Sequence, residues 1–225
     1  MIASLESCQI FDISPEISPQ IAVYPGDTPF QSNFLLDMKQ GDHLTLSSVL
    51  TTVHLGAHAD APSHYSPDGL SIHQRDLSYY LGDCQVIDLS QLKRDPRHRI
   101  NSQDLQELKD IKILTPRVLF KTMSFPDPNQ WNDDFWAICP ELITSLHHQG
   151  VKLIGIDTPS VDISDDKELV THNAIAKCDM AILEGIVLKD VPQASYQLIA
   201  LPLKLKNLDA SPVRAILLPN SKDKS

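Results

Sequence analysis

Apolar runs divide the chain into short strands separated by turns rich in proline, glycine, asparagine and aspartate, with few helical patterns between them. Gln9-Ile10-Phe11-Asp12-Ile13-Ser14 predicts a first strand, and Pro15 and Pro19 punctuate the connection after it. Pro25-Gly26 suits the centre of a type II turn, with glycine taking the positive φ. Leu44 to Val53, rich in β-branched residues, predicts a long strand. Gln85–Leu89, Arg117–Lys121, Val151–Asp157 and Ala181–Leu188 predict four more, and Ile199 to Leu218 holds two closing apolar stretches. Asn101 can cap a helix over roughly Gln103–Lys109, with Asp104 well placed in its first turn. Pro140 can open a helix through His148 that Gly150 ends, and His172-Asn173 opens a short helical stretch. Ser124 to Trp136 reads as a long loop over one end of the fold. The pattern predicts one α/β domain over residues 1–225, a mixed sheet with helices packed outside it.

Two places break this pattern. The first is Val53-His54-Leu55-Gly56-Ala57-His58-Ala59-Asp60-Ala61-Pro62-Ser63-His64-Tyr65, with three histidines and one aspartate within eleven residues. All four sit at even positions, so a strand would turn them to one face. Gly56 and Pro62 oppose a helix. A flat strand would set the α-carbons of His54 and His58 roughly 13 Å apart, about the limit for two imidazoles sharing one zinc. The chain is therefore expected to bend near Gly56 or Ala57, a strand end breaking into a metal-binding loop. Any single histidine here reads as part of a solvated strand end. The four together read as a metal site, because imidazole and carboxylate are the usual ligands of zinc-like ions. The second place is Glu184, inside an apolar strand. A buried carboxylate is costly unless paired, protonated or metal-bound, so a salt bridge to an arginine elsewhere is the alternative.

Composition narrows the partners. A hydrophobic content of 42% with 21% charged residues suits a globular chain, and a formal charge of −10 argues against nucleic acid or an anionic membrane. The first seven residues show no basic region leading into an apolar run, and no apolar run reaches a membrane span. Cys8, Cys84, Cys139 and Cys178 are scattered and read as reduced thiols of a cytoplasmic protein. His43, His73, His98, His147 and His148 need no metal; the last two favour a helix C-terminus.

The stretch from His54 to His64 resembles the H-x-G-T-H-x-D-x-P-x-H motif of the cyclase family of metal-dependent hydrolases, with Ala57 where threonine is usual. Within that family the likeness is strongest to the bacterial kynurenine formamidase branch. Tyr24-Pro25-Gly26-Asp27-Thr28-Pro29-Phe30 is similar to its W-P-G-D-T-P-F, with tyrosine for the tryptophan that lines the substrate pocket. Asp157-Thr158-Pro159-Ser160-Val161-Asp162 matches its D-T-P-S-V-D. Ala210-Ser211-Pro212-Val213-Arg214 is similar to G-S-P-V-R, with alanine for glycine.

The resemblance implies a barrel-like mixed sheet of the swivelling β/β/α type and a homodimer. It also implies five metal ligands, His54, His58, Asp60, His172 and Glu184, the last two being twelve residues apart as in the family. Five exceed the needs of one tetrahedral zinc, so two divalent cations are expected, Zn²⁺ or, at a more oxygen-rich site, Mn²⁺. By resemblance His54, His58 and Asp60 hold the first ion, His172 holds the second, and Asp60 and Glu184 touch both. His64 is then the catalytic acid/base, a sixth ligand being the alternative, and Tyr24 packs on the substrate ring. The implied small-molecule reaction is hydrolysis of N-formyl-L-kynurenine to L-kynurenine and formate. A related amide or lactam hydrolase of the isatin-hydrolase kind is the second reading. A non-catalytic metal binder is the third, which an uncoordinated His64 argues against.

Overall fold

The short apolar runs pair into one large mixed sheet. The computed structural model describes residues 9–108 and 111–220. The expectations placed on the first seven residues, Cys8 and Lys109 lie outside the described residues. The strands are β1 (Phe11–Asp12), β2 (Gln31–Leu36), β3 (Leu46–Leu50), β4 (His58–Asp60), β5 (Leu81–Asp88), β6 (Arg99–Ile100) and β7 (Arg117–Lys121). They continue as β8 (Ala137–Ile138), β9 (Leu153–Ile156), β10 (Ala181–Glu184), β11 (Ser195–Ile199), β12 (Ala210–Pro212) and β13 (Ile216–Pro219). Three α-helices join them: α1 (Ser102–Glu107), α2 (Pro140–His148) and α3 (Val170–Lys177).

Nine strands form the sheet in the order β1-β13-β11-β5-β7-β9-β10-β4-β12, curled into a half-barrel. Its centre, β5-β7-β9-β10, is parallel, and both flanks are antiparallel. Residues 118–120, 153–156 and 181–183 of the central strands are buried and apolar throughout because both faces are covered there. Val118, Phe120, Ile154 and Ile182 face a core completed by Leu142, Ile143 and Leu146 of α2 and Ile175 of α3. Their neighbours Leu119, Leu153 and Leu183 face a second core with Leu198 and Leu217. The helices therefore cover one face, and the curl of the sheet covers the other.

Local signals explain the helix ends. The Asn101 side chain accepts from the backbone of Gln103 and Asp104, and Asp104 returns the bond to Asn101. Pro140 opens α2, and Gly150 follows it at φ +88°. At Pro25-Gly26 the Asp27 N–H donates to the Tyr24 carbonyl at 2.9 Å, closing the expected turn with Gly26 at φ +94°.

Three expectations are corrected. The long strand from Leu44 shortens to Leu46–Leu50, and it pairs with β2 in a separate two-stranded hairpin rather than in the large sheet. His58 and Asp60 do not lie in a loop. The chain does bend at Gly56 (φ +54°), but it then re-enters the sheet as β4. Glu184 is the last residue of β10, because Gly185 (φ +64°) turns the chain away.

Gly185 makes that turn possible and also brings the two site-bearing segments together. A Cβ placed there would run into the carbonyl oxygen of Gly56. Gly185→Ala should therefore cost roughly 1–3 kcal/mol of stability, from overpacking and the positive φ together. Urea denaturation measures this, and a variant as stable as the parent would show that the close approach is not a constraint.

Candidate metal centre and its cavity

Register sets the first part of the site. Strand β4 runs antiparallel to β10 with His58 opposite Glu184 and Asp60 opposite Ile182. Residues two apart share a face, so His58, Asp60 and Glu184 point to one side of the sheet. It is the side of Ile182, against which α3 packs, and α3 carries His172. His54 reaches the same point from the loop before β4, and His64 from a single 3-10 turn at Pro62–His64.

The nitrogens converge on the carboxylates. His54 Nδ1 lies 3.1 Å and His58 Nε2 3.5 Å from Asp60 Oδ1, while His172 Nε2 lies 3.4 Å from Asp60 Oδ2. Glu184 approaches His58 Nε2 at 3.2 Å and His172 Nε2 at 3.7 Å, and accepts the Val161 N–H at 2.6 Å. No arginine reaches it among the described residues. His58, Asp60, His172 and Glu184 are buried, and His54 is largely so. All five sequence-predicted ligands thus meet at one point.

The outward nitrogen of each imidazole meets an oxygen. His58 Nδ1 lies 2.8 Å from the Gly56 carbonyl, His172 Nδ1 lies 2.9 Å from Asp162 Oδ2, and His54 Nε2 lies 2.9 Å from Asp209 Oδ2. Each contact fixes which nitrogen faces inward. Asp162 also accepts from Arg99 and from the backbone of Thr171 and His172, so it anchors the start of α3.

Donor chemistry and an orphaned group fit a divalent cation. Among the described residues, neither oxygen of the buried Asp60 accepts a hydrogen bond, although three imidazole nitrogens stand within 3.5 Å of it. Close but poorly directed nitrogens around a bare carboxylate suit a shared ion. Two overlapping groups could hold one, His58 with Asp60 and Glu184, and His54 with Asp60 and His64.

In the polypeptide alone, protons take that role. Burial disfavours charge on His54, but Asp60, with Asp209, outweighs it and pushes the pKa up to about 10. Burial opposes charge on His172 as well, and Asp162 and Asp60 push it up to about 10. Asp60 is held well below the usual carboxylate range: burial works against this and the His54 charge overcomes it.

The cluster forms the floor of a cavity of about 670 Å³. Tyr24 stands at its wall, half exposed, with its hydroxyl donating to the Ser164 carbonyl at 3.0 Å. Its ring meets Trp131 edge-on, centroids 5.4 Å apart, and Phe125 lies beyond Trp131. Asp157 accepts from Thr122 and from the Met123 N–H at 2.9 Å, holding the Met123 turn (φ +57°) against the cavity. His64, a third exposed, stacks 4.2 Å from His54, and its Nδ1 lies 3.2 Å from Asp209 Oδ2.

Sequence reasoning missed Asp162 and Asp209 as partners of the histidines, and Trp131 and Phe125 as cavity wall. Asp162 ends the D-T-P-S-V-D run, and Asp209 precedes Ala210-Ser211-Pro212. Asp209 meets His54 only through the pairing of β12 with β4, and Asp162 meets His172 only once the loop after β9 folds back onto the start of α3.

A buried histidine–carboxylate cluster on a curled mixed sheet, opening to an aromatic cavity, is the arrangement of a metal-dependent hydrolase fold. The cyclase family model matches residues 11–163, and the chain belongs to that family. Two similar solved structures are a potential metal-dependent hydrolase with cyclase activity (26% identity, TM-score 0.79, covering 96% of this chain and 100% of that one) and a predicted metal-dependent hydrolase from Bacillus stearothermophilus (26%, 0.78, 95% and 100%). An isatin hydrolase bound to the product analogue thioisatinate shares the fold at 18% identity, with TM-score 0.82 over 96% of this chain and 94% of that one.

The raised histidine pKa values have a measurable consequence. Both lie above the 6.5 of free imidazole, so their ion pairs stabilise the metal-free fold fully below that pH and are lost as pH rises towards 10. A divalent cation such as zinc would compete with protons for these nitrogens. The rise in thermal midpoint given by saturating zinc should therefore widen between about pH 6.5 and about pH 8.5. A zinc effect that is flat or shrinks with pH in a melting assay would contradict the protonated pairs.

Proposed function

We propose that the protein hydrolyses the formamide of N-formyl-L-kynurenine, giving L-kynurenine and formate. The observation that carries this reading is the bare buried carboxylate of Asp60, ringed by imidazoles of His54, His58 and His172 that line an aromatic-walled cavity. His54, His58, Asp60, His172 and Glu184 would hold two divalent ions, Zn²⁺ in preference to Mn²⁺ because three imidazoles contribute. Such ions supply acidified water and stabilise the oxyanion of the attacked carbonyl.

The chain's own groups do the rest. Tyr24, Trp131 and Phe125 would pack on the aryl ring, as aromatic faces and edges do. His64 would take the proton from water as the C–O bond forms at the formyl carbon. It would return that proton to the aryl nitrogen as the C–N bond breaks. Proton delivery is needed because an anilide anion is too basic to leave unaided. Lys189, also on the cavity lining, offers a positive charge to the substrate's carboxylate.

A second reading, hydrolysis of the lactam of isatin, is favoured by the fold shared with isatin hydrolases. Isatin is flat and uncharged and would leave Lys189 without a role.

We also propose that the chain works as a homodimer. The β2–β3 hairpin stands apart from the large sheet and exposes Phe34, Leu35, Val49 and Leu50, an apolar surface that a second copy would cover. Sedimentation velocity should give twice the chain mass, and a single-chain mass at micromolar concentration would overturn this.

For the activity, the purified protein should carry close to two metal equivalents and turn over N-formylkynurenine faster than isatin. Glu184→Ala should lower the metal content. His64→Ala should keep it while kcat falls about 10²–10⁴-fold, the usual contribution of acid–base catalysis. Turnover of isatin alone would move the assignment to the second reading, and loss of metal in His64→Ala would make His64 a ligand.

A further inference from the structure

One carboxylate oxygen near the site serves two histidines at once. Asp209 immediately precedes β12, which pairs antiparallel with β4 so that Ala210 stands opposite Asp60. The Ala61 N–H donates to the Asp209 carbonyl at 2.8 Å, which locks the register. From there Oδ2 lies 2.9 Å from His54 Nε2 and 3.2 Å from His64 Nδ1. The two rings stand 4.2 Å apart, tilted by 45°, so the one oxygen bridges their outer edges.

An ionised carboxylate only accepts hydrogen bonds, so both nitrogens must carry a proton to meet it. The consequence differs for the two rings. On His54 the proton at Nε2 leaves Nδ1 as the inward nitrogen, 3.1 Å from Asp60 Oδ1, free to serve as a metal ligand. On His64 the proton at Nδ1 leaves Nε2 as the lone-pair nitrogen of a ring that lines the cavity.

We propose that Asp209 is a positioning residue that fixes His54 and His64 in opposite tautomers, readying one to bind metal through Nδ1 and the other to accept a proton at Nε2. His172 takes its orientation from a separate carboxylate, Asp162, at 2.9 Å. At His54 and His64 a single group orients ligand and base together, so the base is held in fixed relation to the ion it works beside. The assignment of His64 as base rests on the proposed hydrolase reading, whereas the tautomers do not.

The experiment compares wild type, Asp209→Asn and Asp209→Ala. Asparagine keeps an oxygen acceptor, alanine keeps none, and the half-exposed position tolerates either. Imidazole ¹⁵N spectra of the zinc-loaded proteins at mildly alkaline pH report the tautomers directly. Wild type should show His64 protonated at Nδ1 and His54 at Nε2. Asp209→Ala should shift His64 towards the Nε2–H form and weaken zinc binding, read by chelator competition, by about 10–100-fold. With N-formylkynurenine its kcat should fall by about 10–100-fold with KM nearly unchanged, as for a group felt mainly in the transition state. Asp209→Asn should recover most of all three.

A His64 tautomer unchanged in Asp209→Ala overturns the proposal, as does a kcat that does not move. If the wild-type protein turns over neither formamide nor lactam, the hydrolase reading fails, and the spectra with the zinc affinity still decide the role of Asp209.

Discussion

Two carboxylates, Asp60 and Glu184, are buried on neighbouring strands facing the same side of the sheet, and much of the architecture brings positive charge to them. Two like charges withdrawn from water would destabilise any sheet that carried them alone. Strand register sets His58 opposite Glu184, α3 delivers His172, and the bend at Gly56 swings His54 back over Asp60. Each imidazole is then steadied from behind by an oxygen: a backbone carbonyl, Asp162 or Asp209. The close contact of Gly185 with Gly56 keeps the two segments at this separation.

That electrostatic arrangement sits where apolar packing ends. The two cores leave the sheet dry up to Ile182 and Leu183, and the next residue, Glu184, opens onto the cavity floor. Above it the wall is chiefly aromatic and proline-rich, so a bound ring would exclude water from the charged floor. Excluding water strengthens every interaction between those charges and a developing oxyanion. Ser160, Ser164 and Lys189 add polar groups to the same lining.

Burial of apolar surface explains the rest of the chain less completely. The helices cover one face of the sheet and its curl covers the other, yet the β2–β3 hairpin keeps its apolar side chains exposed. An isolated two-stranded ribbon is marginal in water, which is the physical argument for a partner surface over it. The exposed residues alternate poorly between faces, so both sides of the ribbon offer apolar contact.

Much of the fold was legible because its signals are local. Asn101, Pro140 and Gly150 marked helix ends through their own backbone chemistry, and Arg117–Lys121 marked a buried strand by composition alone. The five candidate ligands were legible because histidine and carboxylate in an apolar run violate the burial rule, and because their spacing resembles a known family. Strand pairing was not legible. Leu44 to Val53 reads as one long strand, but the hydrogen bonds of Leu46–Leu50 go to Gln31–Leu36, a choice that sequence-local energies do not make. The role of Asp209 was hidden for the same reason, and that of Asp162 because it depends on how the loop after β9 meets α3. Asp209 is 155 residues from His54 and meets it only because β12 pairs with β4. The sequence by itself determined which residues are chemically out of place, since burial cost belongs to a side chain. Only the tertiary structure decided which oxygen faces which nitrogen, since that depends on register between distant strands.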